Sequence, residues 1–217
     1  MNSIRYHHWC LMARTLEIVG DRWSLLIVRD LLPGPRRFSD LKERLAGVTP
    51  KWLTLRLRQL EHAGIVTRDS EVGRREVWYA LTDKGRELAP VVESLTFWGI
   101  KHLRQQPATG EAVHSEHVLL GLTTALNGFG ARPRRRVCWK FRFPDASYIV
   151  RFDGKRWRSS EAGDKPAHLV IETTPQTWAR FMMRPGELPS REIKLTGKID
   201  EIEYLRAVFG LTKGVDA

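Results

Sequence analysis

Lys51, Thr54, Arg58 and Gln59 crowd a segment whose leucines repeat at helical spacing. At 100° per residue, Leu53, Leu57 and Leu60 fall within about 60° of one another. Lys51, Leu55 and Arg58 lie opposite them, with Trp52, Thr54 and Gln59 at the flanks and Arg56 nearer the core side. Lys, Arg, Thr and Gln supply hydrogen-bond donors that suit phosphate oxygens and base edges. Such a face taken alone is equally compatible with a solvated helix. Two neighbours tip the reading towards nucleic acid: a basic pair, Arg74-Arg75, downstream, and helix-cap chemistry upstream. Trp52 and Leu55 are apolar members of a polar face. They suit contact with a thymine methyl, or packing against a neighbouring element.

The elements that must hold this face follow from periodicity and punctuation. Trp9, Leu11, Met12, Leu16 and Val19 predict a first helix ended by Gly20. Asp21 is placed to cap a second, with Trp23, Leu26, Ile27 and Leu31 inward, and Pro33-Gly34-Pro35 ends it. A third helix starts at Ser39 and closes at Gly47. Thr49-Pro50 starts the fourth, with a hydroxyl at the N-cap and proline at the first helical position, and Gly64 ends it. Strand-like runs at Ile65 to Arg68 and Glu76 to Leu81 flank a turn with a basic tip. Thr82 and Asp83 then open one long helix carrying Leu88, Val91, Val92, Leu95, Trp98 and Leu103. Two short helices, a tight turn and a β-ribbon make a winged helix-turn-helix, mainly α with a β-ribbon wing. In that arrangement the second helix of the pair enters the major groove. Arg36, Arg37 and Ser39 sit at the third helix's N-terminus, which suits a phosphate, and Arg74 and Arg75 reach out from the wing.

Composition narrows the classes. The chain has 217 residues and a formal net charge of +11, divided almost evenly between its halves. That length suits one large or two small domains, and the basic balance favours a polyanionic partner. No apolar run approaches the roughly 18–20 residues of a membrane span. Arg5, His7, His8 and Arg14 interrupt any secretory leader before Leu16. Two cysteines, Cys10 and Cys138, cannot build a disulfide framework and fit a reducing cytoplasm, with nucleoid association when DNA is bound. There is no zinc-ligand spacing, Walker loop, GxSxG or GxGxxG, so no metal, cofactor or enzymatic activity is expected.

These residues resemble the HxlR-type regulators. The match runs through Cys10, Gly20-Asp21-Arg22-Trp23-Ser24-Leu25-Leu26-Ile27 and Gly34-Pro35-Arg36-Arg37-Phe38-Ser39-Asp40-Leu41. It continues through Thr49-Pro50-Lys51, Leu53, Arg56-Leu57, Leu60-Glu61, Ala63-Gly64, Tyr79-Ala80-Leu81-Thr82-Asp83-Lys84-Gly85 and Trp98-Gly99. It covers about residues 8–103. The resemblance implies a bacterial or archaeal transcription factor bound to double-stranded operator DNA as a homodimer. The dimer contacts would be the segments around Trp9–Leu16 and Val91–Leu103. The implied DNA-facing set is Arg36, Arg37, Ser39, Thr49, Lys51, Trp52, Thr54, Leu55, Arg56, Arg58, Arg74 and Arg75. Some members of such a family sense oxidants through a cysteine near position 10. A thiol near His7, His8 and Arg14 could react readily, although a small buried apolar residue is the commoner fate of a free cysteine.

A polar, proline- and glycine-broken stretch comes after Gln105. The reading is therefore a DNA-binding and dimerisation domain over 1–105, a linker over 106–113 and a second domain over 114–217. A helix over about 114–128, strands at 137–143, 148–152, 155–158, 168–172 and 193–197, and helices around Trp178 and Tyr204–Leu211 predict an α+β domain. Its helices lie on one face of a mainly antiparallel sheet. Asp153-Gly154 signals a hairpin. The pattern resembles the sterol-carrier-protein-2 fold over about 114–211, on Ala167 to Thr173, the helix with Trp178, and Ile193 to Gly197. That resemblance implies an apolar tunnel for a lipid or other small effector, lined by Leu122, Leu126, Trp139, Phe141, Trp178, Phe181, Met182, Leu205 and Phe209. The same side chains suit an ordinary core. Arg132, Arg134, Arg135 and Arg136 form the densest charge run. They suit a solvated loop, phosphate contacts or a ligand headgroup. The leading reading is a DNA-binding regulator modulated by an apolar molecule. The alternatives are a thiol-switch repressor working through Cys10 and a lipid carrier whose winged helix serves another role.

Overall fold

The computed structural model describes residues 6–69, 76–103, 105–163, 166–184 and 191–210. The chain forms two compact units that divide between Ser94 and Leu95. This is earlier than the 106–113 stretch marked by composition. The second half of the helix that spans the division packs with residues later in the chain: Phe97 lies edge-on to Phe129, with ring centroids 5.2 Å apart.

The first unit runs α1 (Leu11–Val19), α2 (Ser24–Leu31), β1 (Arg36–Arg37), α3 (Phe38–Arg44), α4 (Pro50–His62), β2 (Val66–Asp69), β3 (Trp78–Leu81), α5 (Asp83–Arg86) and the start of α6 (Ala89–His102). Its sheet has the order β1-β3-β2, all antiparallel, with Arg68 opposite Tyr79 and Arg37 opposite Trp78. The two-residue β1 escaped the sequence reading because it is too short to show alternation. Ile27, Val28, Leu31, Leu41, Leu53, Leu57 and Leu60 fill the core.

Caps explain where helices begin and end. Thr49 accepts from the Trp52 amide at 3.3 Å, and Pro50 follows at the first helical position. At the other end of α4, the Gly64 amide donates to the Glu61 carbonyl and the Ile65 amide to that of Leu60, each at 2.9 Å. Gly64 has φ +69°, so this stop favours glycine. Helix α3 starts at Phe38, one residue before the predicted Ser39. The Asp40 carboxylate reaches back to the Arg37 amide at 3.0 Å and makes Arg37 the cap. Asp21 does not cap α2 directly. It accepts from the Trp23 amide at 2.8 Å in the turn just before. The single long helix expected after Thr82 is two, α5 and α6, because Pro90 offers no amide hydrogen and its ring clashes with the preceding turn.

The second unit contains α7 (Ser115–Gly128), β4 (Val137–Arg142), β5 (Ser147–Phe152), β6 (Trp157–Glu161), β7 (Leu169–Glu172), α8 (Pro175–Met183), β8 (Lys194–Gly197) and α9 (Ile199–Val208). Its sheet order is β6-β5-β4-β7-β8. The sheet is mixed, since β4 and β7 run parallel and the other neighbours antiparallel. Alternation puts Trp139, Phe141, Val150, Phe152, Trp157, Leu169 and Ile171 on one face. There they share a core with Leu119 and Leu122 of α7, Trp178 and Phe181 of α8, and Leu205 of α9. Asn127 holds α7 to the edge strand β6. Its amide donates to the Trp157 carbonyl at 3.0 Å, and its oxygen accepts from the Trp157 amide at 2.8 Å. Asp153-Gly154 does make a turn. It is a four-residue loop in which Asp153 Oδ1 accepts from the amides of Lys155 and Arg156, so β6 starts at Trp157 rather than Lys155.

Candidate nucleic-acid interface

Helix α4 is anchored from beneath. Leu53, Leu57 and Leu60 are buried, and the other side carries Lys51, Trp52, Arg58 and Gln59 exposed, with Thr54 and Leu55 half-buried. The amphipathic split expected from spacing is therefore the split observed. Two exposed cations, a hydroxyl and an amide stand on one rigid helical face, the geometry needed to fix several donors against a regular polyanion. Trp52 is 40% exposed, so a large apolar surface remains in water beside Lys51.

The structure sorts the remaining expected contacts. Arg56 pairs with Asp21 at 2.8 Å and is mostly buried, so it joins α4 to the turn before α2 instead of facing outward. Its place follows from the wheel, where it lies beside the leucine stripe. Arg36 is turned inward: its Nε donates to the Asp30 carbonyl at 2.7 Å. A sequence reading sees two adjacent arginines. Strand geometry at β1 sends them to opposite sides, Arg36 half-buried and Arg37 exposed. Arg37 pairs with Glu76 and lies over the Trp78 ring at 5.1 Å, at the root of the wing. Ser39 is exposed and donates to Asp40 at 3.2 Å, while the Thr49 hydroxyl serves the cap. Arg74 and Arg75 lie outside the described residues.

Behind these residues sits a charge hub that sequence reasoning missed. Asp30 is fully buried. Its carboxylate pairs with Arg29 at 3.2 Å and Arg44 at 3.5 Å, which links α2 to α3. A lone Asp in an apolar stretch, Ile27-Val28-Arg29-Asp30-Leu31, was the available signal.

Apolar side chains stand in solvent on two helical segments. Trp9 (83% exposed), Leu11, Met12 and Leu16 lie at α1, and Leu95, Trp98 (57%) and Leu103 lie on or just beyond α6. Cys10 is half-buried at the N-cap of α1, where its side chain makes no cap hydrogen bond. Among the described residues no cluster of His, Cys, Asp and Glu suits a metal, and no helix is long and apolar enough to cross a membrane.

In the second unit, the expected tunnel liners are packed against one another. Trp139 lies on Trp157 and Phe141 on Trp178, both at 4.9 Å, and Phe209 meets Phe181 at 5.1 Å. Leu122, Leu126 and Leu205 are buried in the same cluster. Ring-on-ring packing fills the space between sheet and helices. A cavity of about 390 Å³ opens instead among Ile100, Leu103, Val113, His114, His117, Gly121, Ala179 and Met182. Met182 alone of the nine expected liners borders it. The His114 and His117 rings stand edge to face at 5.0 Å on its wall.

Residues 18–107 match the family described as HxlR-like helix-turn-helix. The HTH-type transcriptional regulator sll1512 of Synechocystis sp. is 41% identical over 101 residues, covering 46% of this chain and 74% of that protein. The HTH-type transcriptional regulator YkvN of Bacillus subtilis is 36% identical over 104 residues, covering 47% and 87%. Among solved structures, the redox regulator HypR in its oxidized form shares 33% identity over 43% of this chain and 97% of its own, with a TM-score of 0.41. The identity with sll1512, over most of that protein's length, identifies this chain as a member of the HxlR-like helix-turn-helix family.

Proposed function

We propose that the protein is a homodimeric, DNA-binding transcriptional regulator that acts without enzymatic chemistry. The observation that carries this reading is the cationic face of α4, with Lys51 and Arg58 exposed above a buried leucine stripe. Lys51, Trp52, Thr54, Leu55 and Arg58 enter the major groove. Arg37 and Ser39 lie at its margin, and Arg74 and Arg75 add to the contact. The partner is double-stranded operator DNA, read as two half-sites about one helical turn apart. The exposed apolar side chains of α1 and α6 supply the dimer contact, since stripes of this kind in water favour self-association. Selection from a random-sequence duplex pool is expected to return an inverted repeat. Leu95→Glu/Trp98→Glu is expected to give a monomer by light scattering, with DNA affinity lowered at least about tenfold as half-sites bind singly. A wild-type monomer in solution would overturn the dimer.

The second unit is read as an effector domain of sterol-carrier-protein-2-like architecture. The specific support for an effector is the cavity beside Ile100, Leu103 and Met182. Its volume lies at the small end of the roughly 300–1,000 Å³ usual for ligand sites. Its occupant is an apolar molecule with one polar end, placed at His114 and His117. Such a ligand alters DNA binding only through unequal affinity for the DNA-competent and incompetent states. Native mass spectrometry of the purified chain is expected to show a bound small molecule that Gly121→Leu displaces by filling the space before Met182. A ligand retained by Gly121→Leu, or neither bound mass nor thermal shift with a panel of apolar acids and alcohols, would sink this site.

A further inference from the structure

The arginine run before β4 has different fates within it. Arg135 is consumed by the fold: it pairs with Glu201 and, at 3.2 Å, with Asp200 of α9. Arg134 and Arg136 are exposed and have no acidic partner among the described residues. Strand pairing brings further cations beside them. Val137 is opposite Phe152, so Arg136 borders the Asp153–Arg156 turn. Arg151 faces Cys138 on one side and Arg158 on the other. The inward alternation of Val137, Trp139, Val150, Phe152 and Trp157 sends Arg136, Lys140, Arg151 and Arg158 to the opposite face.

Like charges directly opposite one another across a sheet cost stability. Arg158 is compensated by Asp153 at 2.9 Å. That carboxylate is fully committed. The amides of Arg156 and Lys155, then the Arg158 guanidinium, hold it well below the usual carboxylate range. Arg151, Lys155 and Lys140 are left without an acidic partner among the described residues. Of the acids within the strands, Glu172 is already shared by Arg142 at 2.8 Å and Lys194 at 3.5 Å, and Glu161 lies at the far end of β6, opposite Tyr148.

We propose that this outer sheet face, led by Arg136 and Arg151 with Lys155 of the adjoining turn, binds the phosphate backbone of double-stranded DNA as a second contact separate from α4. Charge complementarity selects a polyanion. The sheet's aromatic side chains all point into the core, so no stacking platform for single-stranded bases is presented. Ile149, the apolar residue at the centre of this face, is buried and offers nothing to insert into a bilayer. The face is a rigid array of cations suited to duplex phosphates, which adds affinity without sequence preference. The inference rests on the DNA-binding reading and extends it to the second unit.

The test is equilibrium binding of the full-length chain to a long duplex of arbitrary sequence across a salt series. R136Q/R151Q/K155Q is expected to lower affinity about tenfold at low salt. It should reduce the slope of log affinity against log salt by about 2–3 for each protomer in contact, near 0.9 for each phosphate no longer neutralised. The operator sequence recovered by selection stays the same. R136K/R151K keeps the charge and is expected to keep the slope. All three positions are exposed, and a wild-type melting temperature verifies the fold. An unchanged slope in the triple variant overturns the proposal, as does stronger binding to single-stranded oligonucleotide or to phosphatidylserine vesicles than to duplex. A wild-type chain that binds no duplex at all overturns the regulator reading itself, a distinct result.

Discussion

Lys51→Ala/Arg58→Ala is expected to reduce operator affinity by at least about a hundredfold while leaving the melting temperature unchanged. Both side chains are exposed on the face of α4 opposite its buried leucines, so their removal opens no cavity. Alanine is also the best helix former, so the helix itself should not weaken. A good bidentate base contact is worth about 1–3 kcal/mol, and a phosphate contact adds to affinity and to salt dependence. In a dimer each substitution acts twice. Fluorescence anisotropy against the selected operator would measure the effect, and circular dichroism would verify the helix. Unchanged affinity in a folded variant would mean that another surface reads the DNA. Replacing Lys51 alone should weaken operator and arbitrary duplex alike if it meets phosphate. Replacing Arg58 should narrow the gap between them if it meets a base edge.

Asp30→Ala is expected to destabilise the first unit by about 3–5 kcal/mol, the usual effect of removing one partner from a buried ion pair. Asp30 is inaccessible to solvent, and Arg29 and Arg44 are largely buried beside it. Without the carboxylate, Arg29 and Arg44 lose the anion they share and the Asp30 link between α2 and α3 is broken. Domains of this size carry about 5–15 kcal/mol in total. The melting temperature should fall by more than about 10 °C. Asp30→Asn keeps acceptor geometry but not charge, and should fall between the two. DNA binding fails in Asp30→Ala through loss of the fold, which separates it from Lys51→Ala/Arg58→Ala. A melting temperature within a few degrees of wild type would show that the hub is dispensable.

Helix α4 was the most legible element. Thr49-Pro50, the leucine stripe and Gly64 each act within a few residues, through a cap bond, a fixed φ and a left-handed stop. The exposed set Lys51, Trp52 and Arg58 was legible for the same reason, since a 3.6-residue period assigns faces without knowledge of the partner. Arg56 was half-legible: its core-side angle was evident, but Asp21 as its partner depends on how α4 meets the turn before α2.

Other features were set by contacts between distant residues. Arg36 turns inward because β1 pairs with β3, a strand of the wing about 40 residues further along the chain. The mixed sheet results from β7 returning beside β4, a choice that alternation within either strand does not encode. The aromatic residues taken for tunnel liners fill the core because ring meets ring across elements, and the cavity opens beside Ile100 and Leu103 instead. Sequence by itself determined the winged-helix pattern, its caps and the cationic face of α4, all set by local periodicity and chain stereochemistry. The tertiary structure alone decided which arginines are spent on buried partners, where the cavity lies and which cations share the outer sheet face, because these depend on register and packing between segments far apart in the chain.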